Sequence, residues 1–149
     1  MRWLWNTENW VVPSILRVTL GIVMFPHGAQ KLLGWFGGYG FTGTMNYFTQ
    51  SQGIPAVFAM LAIATEFFGA LGLIAGLLTR VAAFGIFSVM CVAIAMVHAN
   101  NGFFMNWTGK QAGEGFEYHL LAIGIAIVLI IEGGGRWSVD RVLTAKRPG

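Results

Sequence analysis

"VVPSILRVTLGIVMFPHGAQKLL", residues 11–33, is 23 residues of mostly apolar chain, broken by Arg17, His27, Gln30 and Lys31. The hydrocarbon core of a bilayer takes about 20 such residues as helix, so the stretch is long enough to cross. It is too long for the apolar core of a secretion signal and has no small-residue exit, so a retained membrane helix is expected. Pro13 suits a first helical turn, where a missing N–H matters little. Pro26 should kink the helix just before His27.

The same pattern recurs three times. "PAVFAMLAIATEFFGALGLIAGLL" (55–78), "VAAFGIFSVMCVAIAMVH" (81–98) and "FEYHLLAIGIAIVLIIE" (116–132) read as further spans. Of 149 residues, 56% are apolar and only 10% charged, against roughly a quarter charged in soluble domains. There is too little polar surface to coat a water-soluble globule, so the lipid bilayer is the first partner. The expected fold is all-α, an integral membrane four-helix bundle in one domain, 1–149, with a cytoplasmic tail at 133–149.

Between the first two spans, "GWFGGYGFTG" (34–43) is glycine-rich. No strand precedes it and no GK[ST] follows, so it is not a phosphate loop. "TMNYFTQSQG" (44–53) reads as a short interfacial or re-entrant piece, with Trp35, Tyr39 and Tyr47 suited to the headgroup layer. Gly69, Gly72 and Gly76 form a small-residue strip for close helix packing.

The net charge of +3 is spread along the chain, with no basic face or aromatic–basic motif, which excludes nucleic acid. Arg2, Arg80, Arg136, Arg141, Lys146 and Arg147 fall on the side of the termini and the second–third turn. The other side carries Lys110, with Lys31 at its border. That asymmetry places both termini in the cytoplasm of a bacterial-type inner membrane. Cys91 stands alone, so neither an internal disulfide nor a CxxC pair can form.

The ionisable residues inside the spans are the candidate site, because such groups normally face the bundle interior and find partners. Arg17 and Glu66 are the natural pair to propose. Counted at 1.5 Å per residue, they lie ~24 Å and ~16 Å from the outer ends of their own spans. His27 and Lys31 are four apart and share one helix face. His27, His98 and His119, with Lys31 and Glu117, all map near the outer end, where they are expected to gather into a shared polar pocket. Histidine titrates near neutrality and can shuttle protons or bind metal. No HxxxH or ExxH spacing links the three, so neither metal nor haem is favoured. No Ser–His–Asp set or dinucleotide fingerprint is present.

Taken in order, "HGAQK" (27–31), the intramembrane Glu66, "HANNGFF" (98–104) and "GGGRWSVD" (133–140) resemble the DoxX family of small four-helix membrane proteins, over about residues 17–140. The matching positions are His27, Gly28, Lys31, Glu66, His98, Gly102, Phe103, Glu117 and Asp140. The family is similar to the DoxD subunit of thiosulfate:quinone oxidoreductase, and the resemblance implies quinone-linked redox chemistry. On that reading His27 or His98 hydrogen-bonds a quinone carbonyl and Glu66 or Glu117 exchanges protons. Lys31 stabilises negative charge on a reduced oxygen or sulfur anion, and Arg17 and His119 complete the substrate-binding set. His27, Glu66 and His98 are the expected catalytic residues. The chain has no dithiol or flavin motif, so electrons would come from other membrane or redox subunits; a homo-oligomer is compatible with the same pattern. The alternative is a non-catalytic scaffold in a larger membrane complex.

Overall fold

The computed structural model describes residues 4–145; Arg2, Lys146 and Arg147, counted above for orientation, lie outside the described residues. Helix α1 spans Val11–Leu33 and continues through Pro26 as one helix. A 3-10 turn at Trp35–Gly37 leads into the short α2, Gly40–Asn46, which runs on into a π turn at Tyr47–Ser51. Helix α3 is Ala56–Ala75 and α4 is Thr79–Asn101. Helix α5 is Glu117–Glu132, and a seven-residue α6, Val139–Ala145, follows a glycine turn.

The architecture is the expected all-α bundle. Among the described residues, α1, α3 and α4 are long and apolar enough to cross a membrane. Helix α5, with 16 residues, is roughly 24 Å long and completes a closed square in which α1 packs on α3, α3 on α4, α4 on α5 and α5 on α1. Small and medium side chains fill the centre: Leu20, Met24, Ala70, Leu73, Ala83, Ile86, Ala122, Ala126 and Leu129. Large apolar groups such as Ile22, Phe58, Phe84 and Leu121 point outward, the arrangement a hydrocarbon solvent favours.

Two glycines set the α1–α3 seam. A Cβ on Gly21 would sit 2.8 Å from the Ala70 carbonyl, and one on Gly28 would sit 2.5 Å from the Phe67 backbone. The helices therefore touch backbone to backbone, and residue 21 is level with 70–74 while 28 is level with 66–67. The Gly69–Gly72–Gly76 strip plays a different part: Gly72 lies near Ala82 of α4, and Gly76 takes positive φ (69°) to end α3.

The end at which residues 4–10 and 133–145 lie is closed by buried charge. Arg17, 3% exposed, donates from Nη1 to the Leu73 and Ile74 carbonyls at 2.9 and 2.5 Å, from Nε to Gly134 at 2.9 Å and from Nη2 to Trp137 at 3.0 Å. Arg80 likewise serves the Ile130 and Ile131 carbonyls at the end of α5, and reaches the Asn6 carbonyl at 2.9 Å. Helix C-termini leave carbonyls without partners and carry partial negative charge, so a guanidinium satisfies both. Arg80 thus belongs to the expected end of the molecule, but it is buried there rather than exposed to the headgroups.

Residues 133–145 fold beneath the bundle and form part of it, with Ser138 and Asp140 each 1% exposed. Asp140 accepts from Leu78 N at 2.7 Å and Thr79 N at 2.9 Å, and its own N–H donates to the Gly76 carbonyl at 2.9 Å. Leu78, in the left-handed region (φ 51°), has no side chain able to cap α4. The carboxylate comes from 62 residues away instead. Asp140→Asn keeps one acceptor and turns an N–H₂ on the other donor. A loss of about 1–2 kcal/mol, the usual worth of an N-cap, is expected in thermal unfolding followed by circular dichroism. Glu132 and Arg136, four apart in sequence, do not share a helix face: α5 stops at Glu132, and Arg136 lies over the Trp137 ring at 4.9 Å.

Candidate functional site

Midway along α3, the helix is not regular. Thr65–Gly69 form a π turn, and Glu66 sits inside it, 3% exposed. A π turn accommodates an extra residue and bulges outward, so its neighbours must give it room. Gly28 on α1 lies against the Glu66–Phe67 backbone, and Gly85 on α4 lies against the Thr65 side chain. The bulge is held between two glycines. Gly28→Leu therefore overpacks the seam, at a cost of about 1–3 kcal/mol. It is expected to lower the thermal midpoint in detergent well below that of the parent.

Lys31 pairs with Glu66, Nζ to Oε2, at 2.5 Å. This corrects the Arg17–Glu66 pair expected from the sequence. Arg17 lies eleven residues, roughly 16 Å, further along α1 than Gly28, which is level with Glu66. Counting each residue's depth from the end of its own span went wrong because α3 begins about a turn and a half beyond the level at which α1 stops. Arg17 meets the far end of α3, and Lys31, one turn past Gly28, reaches back to the carboxylate.

His27 is exposed on α1. Its ring lies 6.3 Å from that of Tyr118 on α5, and it is within electrostatic reach of both Lys31 and Glu66. The rings of Phe25 and Phe67 are 5.6 Å apart across the α1–α3 seam. Tyr118 directs its hydroxyl at the Met24 sulfur, 3.5 Å away.

His98 ends a further π turn, Ile94–His98, near the end of α4, and its Nδ1 meets the Glu114 carbonyl at 2.8 Å. Its ring lies 4.0 Å from that of His119 on α5. His119 is 6% exposed. Its Nδ1 is buried without a partner among the described residues.

Glu117 is placed at this end but turned to another task. Its Oε1 accepts from Met105 N at 3.0 Å and Trp107 Nε1 at 3.1 Å, which ties down the 102–116 loop. The structure thus brings together Lys31 with Glu66, His27 with Tyr118, and His98 with His119, and it separates Arg17 and Glu117 from them. Among the described residues no three His, Cys, Asp or Glu side chains converge as metal ligands would. A groove of about 310 Å³ between α3 and α4, lined by Thr65, Phe68, Gly69, Gly72, Leu77 and Val81, contains none of these polar groups.

Tyr118, Gly21 and Gly85 were missed from sequence. The seven-residue spacing of Gly21 and Gly28 is a legible packing signal; Tyr118 and the two π turns have none.

The family model described as DoxX matches residues 12–99. Inner membrane protein YqjF of Escherichia coli (strain K12) is 30% identical over 132 residues, covering 89% of this chain and 92% of that protein. No solved structure matches.

Proposed function

This chain belongs to the DoxX family, and from that premise we propose that it is an inner-membrane subunit that binds a quinone near the outer face and exchanges protons with it. Four helices cross the bilayer, α5 being the fourth. Arg80, Arg136 and Arg141 lie at the end shared by the chain termini, which is therefore the cytoplasmic end.

The observation that carries this reading is the Lys31–Glu66 pair: a carboxylate with its side chain 4% exposed, held at 2.5 Å by an ammonium that is 26% exposed. Ionisable groups this deep in a membrane helix mark proton or ligand pathways by default. Quinone sites want apolar walls with a few placed polar groups, and an apolar bundle holding Lys31, Glu66 and His27 offers that mixture. When bound, a quinone takes up two electrons and two protons; the electrons come from a partner redox subunit.

The chain's own residues divide the remaining work. His27 is exposed, so it is the imidazole a lipid-borne head group meets first, whereas His98 Nδ1 is engaged by Glu114. Lys31 holds Glu66 and favours negative charge on a nearby ligand oxygen. Glu66, not the loop-bound Glu117, is the group placed to exchange a proton.

The test is a lipid extract of gently purified protein, assayed for quinone, with titration of a short-chain quinone against tryptophan fluorescence. His27→Ala is expected to weaken binding about tenfold, the worth of one hydrogen bond. Absence of quinone from the extract, with no saturable binding, would overturn the reading.

A scaffold role is favoured by a different observation: Arg17, Arg80, Asp140 and Glu117 all serve backbone groups. Under that role, His27 variants would reduce assembly of a complex and leave turnover of the assembled complex unchanged.

A further inference from the structure

His119 has no hydrogen-bond partner for its buried Nδ1 among the described residues, although only 6% of the residue is exposed. Buried polar groups in folded proteins are nearly always hydrogen-bonded, to protein or to water. An imidazole left this way in an apolar bundle has a partner that the chain does not supply.

The surroundings identify it. On one side stands His98, 4.0 Å ring to ring and half-buried beneath the 99–116 loop. The charge of His27 also acts on His119, and those of Lys31 and Glu66 act on His27. The Tyr118 ring is 5.5 Å from that of His119 and 6.3 Å from that of His27. Its hydroxyl is turned to Met24, which takes it out of any relay.

We infer that His98 and His119 form a port through which Glu66 exchanges protons with the compartment facing the 99–116 loop. His98, whose Nδ1–H is held by the Glu114 carbonyl, takes up and gives up its proton at Nε2, and His119 accepts on one ring nitrogen and releases from the other. The sequence of carriers is His98, His119, bridging water, His27 and then the Glu66 carboxylate. The groups bearing on Glu66 are Lys31 and His27 from α1 and Tyr118 from α5. His119 stands behind them on α5, and His98 on α4.

The inference rests on Glu66 exchanging protons, and its test contains no quinone, so the two readings fail separately. Dicyclohexylcarbodiimide adds only to a protonated carboxyl group. Its attachment to Glu66, read by mass spectrometry in sealed, uniformly oriented vesicles, reports which side protonates that residue. Lowering the pH by one unit on the loop side is expected to raise the labelling rate about tenfold. The same step on the opposite side should leave it unchanged.

His119→Phe removes an unpartnered polar group from an apolar setting, so the fold and its thermal midpoint should be kept or improved. The response to loop-side pH should be lost. His98→Gln, at a half-buried position, carries the same test should His119→Phe fail to fold. Labelling that follows the opposite side would overturn the port, as would variants that respond like the parent or a Glu66 that is unlabelled at every pH.

Discussion

Arg17→Met is expected to abolish the folded bundle in detergent, with aggregation at temperatures the parent survives. The guanidinium serves four carbonyls from three separate stretches: Leu73 and Ile74 at the end of α3, then Gly134, then Trp137. Methionine fills similar volume but leaves those acceptors buried and unmet. At about 1–3 kcal/mol for each stranded group, the loss is at least ~4 kcal/mol, comparable to the whole stability of many small domains. Arg17→Lys should not rescue, since one ammonium cannot reproduce a planar fork aimed in several directions. Size-exclusion profiles with a fluorescent fusion, run after a heating series, would decide it. A monodisperse Arg17→Met protein with the parent midpoint would show that the carbonyl cage is dispensable.

The second large effect is at the other end and has the opposite logic. Lys31→Met leaves the Glu66 carboxylate buried without its cation, and breaking one side of a buried pair costs about 3–5 kcal/mol. Because the lysine is 26% exposed, the lower part of that range applies. Replacing both residues, Lys31→Met with Glu66→Leu, removes the stranded charge, and most of the lost stability should return. Quinone binding should not return with it. Thermal midpoints and quinone titrations on the parent, the single variant and the double variant separate the two quantities. If the double variant binds quinone as the parent does, the pair only holds helices together.

Much of the architecture was legible in the sequence because a bilayer imposes simple demands. Four apolar runs bounded by glycine and proline mark the helices to within three residues at each end, and gathering His27, Lys31, His98, Glu117 and His119 at one end requires only alternating direction. Partner choice was less legible. It depends on axial register between helices, and register is set here by Gly21 and Gly28 pressing on α3, not by where each helix stops. That is why Arg17 was assigned to Glu66 when its partners are carbonyls near Gly76. The π turns beneath Glu66 and His98 were also hidden, since an extra residue in a turn leaves no compositional trace. Asp140 stood in the family motif, but its capping of α4 needs contacts across 62 residues, which no local pattern reveals.

The clasp around Arg17 bears on how the protein is made. One of its acceptors, Gly134, lies 117 residues further along the chain, and at ribosomal speeds of about 5–20 residues per second that delay is on the order of ten seconds. For that interval the first hairpin sits in the insertion machinery with a cation only half satisfied, by the end of α3. The nascent chain is therefore expected to lack half of the Arg17 acceptors until Gly134 and Trp137 have been made and have docked.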